Sequence, residues 1–182
     1  KKEAAAAVEE AKSEAEQAVQ DARDAVPLVR LGSFTLSKAA AEWRIDLSGL
    51  DLSPYSILRL YARLRCSANT AYLRVNGLTS GYSYAVAGQN DGGQREYLLP
   101  LSCPRNAGQQ GVVELTLYLQ QLPALFARVT SAYSTESSTT AQTLVYGCAR
   151  QISALHTLSI VDLGEESPAV AAGSRMDLWG LR

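Results

Sequence analysis

Few residues in this sequence are of the types that make or break bonds. His156 is the one histidine, and it falls in an alternating stretch, 155–163, that reads as strand. There an imidazole satisfied by the sheet is expected, not a catalytic base. No G-x-S-x-G motif occurs to mark a nucleophile. Cys66, Cys103 and Cys148 are odd in number and unevenly spaced, with no C-x-x-C pair and no second histidine. That pattern predicts free, mostly buried thiols and neither a disulfide framework nor a zinc site. The phosphate-cradling loops G-x-x-x-x-G-K-[ST] and G-x-G-x-x-G do not occur either. Asp46, Glu96, Glu114, Asp162 and Asp177 lie in or beside expected strands. A glycosidase would need two such carboxylates about 5–10 Å apart, and outward-facing, solubilising charge is the expected role of most of them. The expectation is a protein with no catalytic residues, no metal and no cofactor.

Binding chemistry is better represented. Shallow sugar sites stack an aromatic ring on the apolar face of a sugar and surround it with hydrogen-bonding side chains. Residues 78–93, LTSGYSYAVAGQNDGG, bring Tyr82, Tyr84, Gln89, Asn90 and Asp91 together beside glycines. A loop of this kind on a rigid scaffold is a common place for ligand contacts. Tyr82 and Tyr84 are two apart, so on a strand they share one face and can equally serve packing. Trp43 and Trp179 stand in strand patterns and are expected in the core.

Residues 1–26 differ in composition from all that follows. They hold nine alanines, seven acidic and four basic residues, and no glycine or proline, which predicts a helix. Val8, Ala11, Ala15, Ala18, Ala22 and Ala25 step by 3 and 4, the alternation that lays one seam along a helix, as in a coiled-coil stalk. At about 1.5 Å per residue it would be roughly 37 Å long. The seam is mostly methyl groups, so an isolated copy buries too little apolar area to hold a partner strongly; parallel neighbours fixed by a folded domain would supply what is missing. The plainer alternative is a solvated single helix or linker. Pro27 stops the helix.

From Leu28 onward the period becomes 2. Leu58, Leu60, Ala62, Leu64 and Cys66 alternate with Arg59, Tyr61, Arg63 and Arg65, and Val113, Leu115 and Leu117 alternate with Val112, Glu114 and Thr116. These are half-buried strands. Further strands are expected near 29–36, 41–47, 71–77, 82–87, 95–101, 125–132, 142–149, 155–163 and 175–181. Turn chemistry separates them, for example Asn76-Gly77, Ser80-Gly81 and Asn90-Asp91-Gly92-Gly93. About eleven short strands without strand-helix alternation predict a mainly β fold: an antiparallel β-sandwich or jelly roll over 27–182, preceded by the helical segment 1–26.

The formal net charge of -1 argues against nucleic acid as a partner. The longest apolar run, Ala4–Val8, is far short of the roughly 20 residues of a membrane span. After residue 27 the chain carries twelve arginines and a single lysine, Lys38, with nine tyrosines in the whole chain. Arginine stacks on tyrosine and tolerates partial burial at subunit contacts better than lysine. Arg59, Tyr61 and Arg63, on one outward strand face, are therefore candidates for an oligomer interface, alongside the helix seam; a genomic base-composition bias is the competing explanation.

Two stretches resemble phage tail-fibre and related virion structural proteins. Leu73-Arg74-Val75-Asn76-Gly77 followed by Gly81-Tyr82-Ser83-Tyr84 resembles their "L-R-hydrophobic-N-G … NYxY" hairpin. The ending Ala172-Gly173-Ser174-Arg175-Met176-Asp177-Leu178-Trp179-Gly180-Leu181-Arg182 resembles their C-terminal "aGSRhxLYGL" strand, with Trp179 in place of the usual tyrosine. The resemblance implies a distal, trimeric β-sandwich head on a coiled-coil stalk. It further implies a virion protein made in the bacterial host cytoplasm, which assembles with other virion proteins and attaches to a host cell-surface glycan or protein. It carries over no catalytic residues. A purely structural virion module such as a head fibre, collar or baseplate component, a carbohydrate-binding module of a secreted enzyme, and, last, a polysaccharide depolymerase are the alternatives.

Overall fold

The structure, a computed structural model, describes residues 2–25, 28–66, 70–86, 89–90, 95–102, 111–134, 139–149, 151–161 and 170–182. The alanine-rich segment is one helix, α1 (Lys2–Ala25). Its described side chains, 8–19 and 21, are all exposed, Val8 and Val19 included.

Every segment of period 2 becomes a strand. In chain order these are β1 (Leu28–Thr35), β2 (Glu42–Asp46), β3 (Ile57–Leu64), β4 (Thr70–Val75), β5 (Tyr82–Val86), β6 (Gln89–Asn90), β7 (Leu99–Ser102), β8 (Gly111–Tyr118), β9 (Leu125–Ser134), β10 (Thr139–Ala149), β11 (Thr157–Val161) and β12 (Arg175–Leu181). Among the described residues eleven of them have four residues or more, and β6 has two. They form two sheets, an eight-stranded one in the order β1-β12-β3-β8-β9-β10-β5-β6 and a four-stranded one in the order β2-β11-β4-β7. Every pairing is antiparallel. The fold is a mainly β sandwich preceded by one helix, as the alternation predicts.

The inward phase of each strand closes the core between the sheets. Leu58, Leu60, Ala62 and Leu64 of β3, Leu115 and Leu117 of β8, and Val129 of β9 meet Trp43, Ile45, Leu73, Val75, Leu158 and Ile160 of the smaller sheet. Gly147 lets the sheets close: a Cβ there would sit 2.9 Å from Leu99 Cδ2 and closer still to the Leu98 carbonyl oxygen, so only glycine fits.

Three expectations need correction. Trp179 is not in the core; β12 buries Met176, Leu178 and Gly180 and turns Trp179 to the outer face, half-buried. His156 precedes β11 and is exposed, while its backbone N–H donates to Asn76 Oδ1. The stretch Leu73–Tyr84 is not a hairpin either, since β4 lies in the smaller sheet and β5 in the larger. Asn76 and Gly77 take the left-handed φ values of a tight turn (51° and 68°), but the chain then crosses between sheets. Asn76 explains why. Its Nδ2 donates to the Ala154 carbonyl at 2.7 Å and its Oδ1 accepts from the His156 and Thr157 backbone N–H groups, which ties the turn to β11.

Candidate functional surface on the larger sheet

The outward phase of the larger sheet is assembled from strands distant in sequence. Register pairing places Arg30, Trp179, Arg59, Thr116, Arg128, Tyr146, Ala85 and Asn90 in one row across all eight strands. A neighbouring row runs Leu28, Leu181, Ile57, Tyr118, Phe126 and Cys148, and another holds Ser33, Asp177, Tyr61 and Glu114. Arginine and aromatic residues therefore alternate over this face, with Thr116 buried between Arg59 and Arg128. Phe126, Tyr146 and Val112 are 45, 46 and 57% exposed, large values for apolar side chains on one contiguous surface. A depression of about 320 Å³ lies on this face between Tyr61, Arg63, Val112, Arg175 and Asp177.

Its electrostatics are unbalanced. Asp177 accepts from Arg30 at 2.6 Å and from Arg175 at 3.2 Å. A side-chain hydrogen bond from Ser33, together with these guanidinium groups, lowers its pKa to about 2, because each donor favours the charged carboxylate. Arg59, Arg63 and Arg128 make no ion pair among the described residues, and the Nε of Arg59 is buried without a hydrogen-bond partner. A desolvated N–H with no acceptor is a cost to the folded chain.

The residues singled out from sequence separate here. Arg59, Tyr61 and Arg63 do share the outer face of β3, Tyr61 and Arg63 exposed and Arg59 half-buried. Val8, Ala11, Ala15 and Ala18 are exposed along α1; Ala22 and Ala25 belong to the same helix, but their side chains are outside the described set. Of the expected ligand loop, only Tyr82 among the five residues has a described side chain. Tyr82 is 1% exposed; its hydroxyl accepts from the Val75 N–H and faces the Val75 and Leu78 carbonyls, each at 3.1 Å. Burial raises its pKa, against the smaller opposing effect of the Val75 hydrogen bond. Tyr82 is a buried clasp between the sheets and not a sugar platform. Tyr84 pairs in register with Gly147, and Gln89 and Asn90 form the short edge segment β6 beside β5, while Asp91 lies outside the described residues. No group of three or more potential metal ligands occurs among the described residues, and no described helix is long and apolar enough to cross a membrane.

Phe126, Arg128, Tyr146, Val112 and Trp179 escaped the sequence reading. Their signal was present in the wrong phase: alternation marks one phase as core, and here the other phase holds aromatics and arginine where a solvated sheet carries threonine, lysine and glutamate. Both stretches that resemble virion proteins prove to be structural devices. The first holds Asn76 and Tyr82. In the second, Gly173 takes φ +84°, and the fully buried Ser174 accepts from the Arg65 N–H at 3.0 Å and donates to the Ala171 carbonyl at 2.9 Å, fixing the corner before β12. No protein-family model matches the chain, and no curated protein is significantly similar to it.

Proposed function

We propose that this chain is the tip module of a phage or prophage-like virion fibre: a non-enzymatic homotrimer whose helix is the end of a stalk and whose sandwich is a head that attaches to a host cell-surface glycan or protein. The open arginine and aromatic face of the larger sheet carries the reading, because an apolar surface of this kind is stable when a second subunit covers it. The exposed alanine seam of α1 supports it. A helix of 24 residues with no packing of its described side chains is only marginally stable alone, and three sandwiches joined through their sheet faces would hold three helices together at high effective concentration. The same arrangement gives several weak receptor contacts per fibre, so avidity replaces a deep pocket.

A second reading, a purely structural virion component that contacts only other virion proteins, is favoured by one observation: Tyr82, the first aromatic of the expected ligand loop, is committed to the core. Sedimentation equilibrium of the full chain tests the common part of both. A mass about three times the 19.5 kDa of one chain supports them, and a whole-cell binding assay then separates them. A clean monomer at micromolar concentration overturns the trimer and favours a carbohydrate-binding module of a secreted enzyme.

A further inference from the structure

The outer face of the larger sheet changes character along its strands. The row of Leu28, Leu181, Ile57, Tyr118 and Phe126 stands where β1 begins, and the row of Thr35, Arg175, Arg63 and Val112 stands at the other end of the same strands. From Ile57 to Arg63 is six residues, about 20 Å of strand. Phe126, Tyr146 and Trp179 belong to the two rows nearest the start of β1. The depression between Tyr61, Arg63, Val112, Arg175 and Asp177 belongs to the two rows farthest from it. A neighbouring subunit that covers the aromatic rows therefore leaves the depression at the edge of the contact.

Cations outnumber anions there. Arg63 and Arg175 are direct partners across β3 and β12, and like charges in that relation repel. Arg65, in the same outward phase just past the end of β3, has its guanidinium beside Gly173, 3.6 Å from where a Cβ would stand. Arg30, on β1, reaches the same group through Asp177 at 2.6 Å. Two carboxylates face these four arginines. Asp177 is occupied, because its Oδ1 accepts from both Arg30 and Arg175. Glu114, in register with Tyr61 on β8, is exposed, makes no ion pair among the described residues and does not line the depression. Arg63 and Arg65 likewise have no ion pair among the described residues. A further anion seated between Arg63 and Arg175 would remove their repulsion, and Asp177 already shows one carboxylate oxygen shared by two guanidinium groups on this face.

We propose that the depression seats a carboxylate-bearing sugar residue, a uronate or a sialate, of a host-surface polysaccharide, with Arg63 and Arg175 on the carboxylate and Tyr61 against the ring. This rests on the attachment reading above and narrows it from any surface glycan to an acidic one. Guanidinium groups take a planar carboxylate through charge-assisted, bidentate hydrogen bonds. Tyr61 is 39% exposed and shares the outer face of β3 with Arg63, so its ring is available to the apolar face of a sugar. The volume of about 320 Å³ is at the small end of ligand pockets and suits one sugar residue of a longer chain. Inorganic phosphate matches the charge but offers no apolar face to the tyrosine.

The test is binding of the full chain to a glycan array that carries uronate- and sialate-bearing oligosaccharides beside their neutral counterparts. Acidic oligosaccharides are expected to be retained over neutral ones. Arg63→Gln changes an exposed side chain without an ion pair among the described residues, so the fold is kept, and affinity is expected to fall about tenfold with the loss of a charge-assisted hydrogen bond. Tyr61→Ala should weaken binding severalfold, and inorganic phosphate at the concentration of the sugar should not displace it. Retention of neutral glycans alone, retention of none, or binding indifferent to Arg63→Gln overturns the acidic-sugar site. Displacement by equimolar phosphate overturns the part assigned to the sugar ring. Sedimentation mass separates this outcome from the fibre reading: a trimer that retains no acidic glycan loses the site and keeps the fibre, whereas a monomer that retains them through Arg63 keeps the site and loses the fibre.

Discussion

The two outer faces of the sandwich are built from the same residue types and end in opposite conditions. On the smaller sheet the chain covers itself. Arg74 lies across the face, its Nε donating to the Glu96 carbonyl at 2.7 Å and its guanidinium 3.6 Å from the Glu96 carboxylate, and Tyr72 packs on Tyr97 with ring centroids 4.2 Å apart. Beneath them Thr157, Ser159 and Val161 are buried although they point outward, so β11 is buried on both faces. On the larger sheet the arginines Arg59, Arg63 and Arg128 have no ionic partner among the described residues, and Phe126 and Tyr146 stand half out of the surface. The difference lies in where the covering groups come from. On the smaller sheet the segment 95–98 continues from β7 alongside β4, with Leu98 N–H donating to the Leu73 carbonyl, and brings Glu96 and Tyr97 to Arg74 and Tyr72.

The largest effect expected from this contrast is on association. Phe126→Asp combined with Tyr146→Asp places two charges on the open face at positions already solvated in one chain, so folding by circular dichroism should be preserved while the sedimentation mass falls about threefold. Arg44→Glu, on the self-covered face opposite Ser159, should leave the mass unchanged. Loss of association in both variants would mean that the two faces do not differ as described.

A smaller and more discriminating effect concerns buried groups without partners. The Oγ of Ser159 and the Nε of Arg59 are both buried and unpaired. Removing an unsatisfied buried polar group stabilises by about 1 kcal/mol. Ser159→Ala should therefore raise the stability of the sandwich by that amount in denaturant titrations and leave its oligomeric state alone. Arg59→Met should stabilise the separated head to a similar degree and yet weaken the oligomer, because its guanidinium is expected to find an acceptor across the interface. An Arg59→Met variant that associates as strongly as the parent would remove Arg59 from the contact.

The smallest effect is a pH dependence. Asp177 has a folded pKa near 2 against an ordinary value of 3.8, so its contribution to stability is present above about pH 4 and is lost as the pH falls through 2. The group is partly solvated, which keeps the contribution small. Asp177→Asn should lose this small contribution at neutral pH and flatten the acid limb of the stability profile between about pH 4 and pH 2, so that variant and parent converge near pH 2. An unaltered acid limb would show that the Ser33, Arg30 and Arg175 contacts do not persist in solution.

The class of fold was legible because it depends on period. Leu58 to Cys66 alternates with Arg59 to Arg65, and a strand has no other way to sort such a sequence; the step of 3 and 4 from Val8 to Ala25 does the same for a helix. The open face was half legible. Arg59, Tyr61 and Arg63 are neighbours on one strand, so their shared face follows from the chain itself. Tyr82 shows the limit, since its spacing from Tyr84 is the same for a ligand platform and for a core clasp. Only the crossing of the chain from one sheet to the other put its hydroxyl against Val75 and Leu78.

What the sequence by itself determined is the local geometry: a helix ended by Pro27, strands of alternating phase, and the turns at Asn76-Gly77 and Gly173. Each follows from steric and hydrogen-bonding rules that act over a few residues. The tertiary structure alone decided which outward phases are covered. Trp179, Arg59, Arg128 and Tyr146 belong to four strands up to 120 positions apart in the chain, and Leu50 comes beside Leu119 and Leu122 of one turn from a separate loop. Their meeting depends on strand order and sheet packing, for which a pattern of period 2 contains no information, since any antiparallel order of the same strands buries the same inward phase.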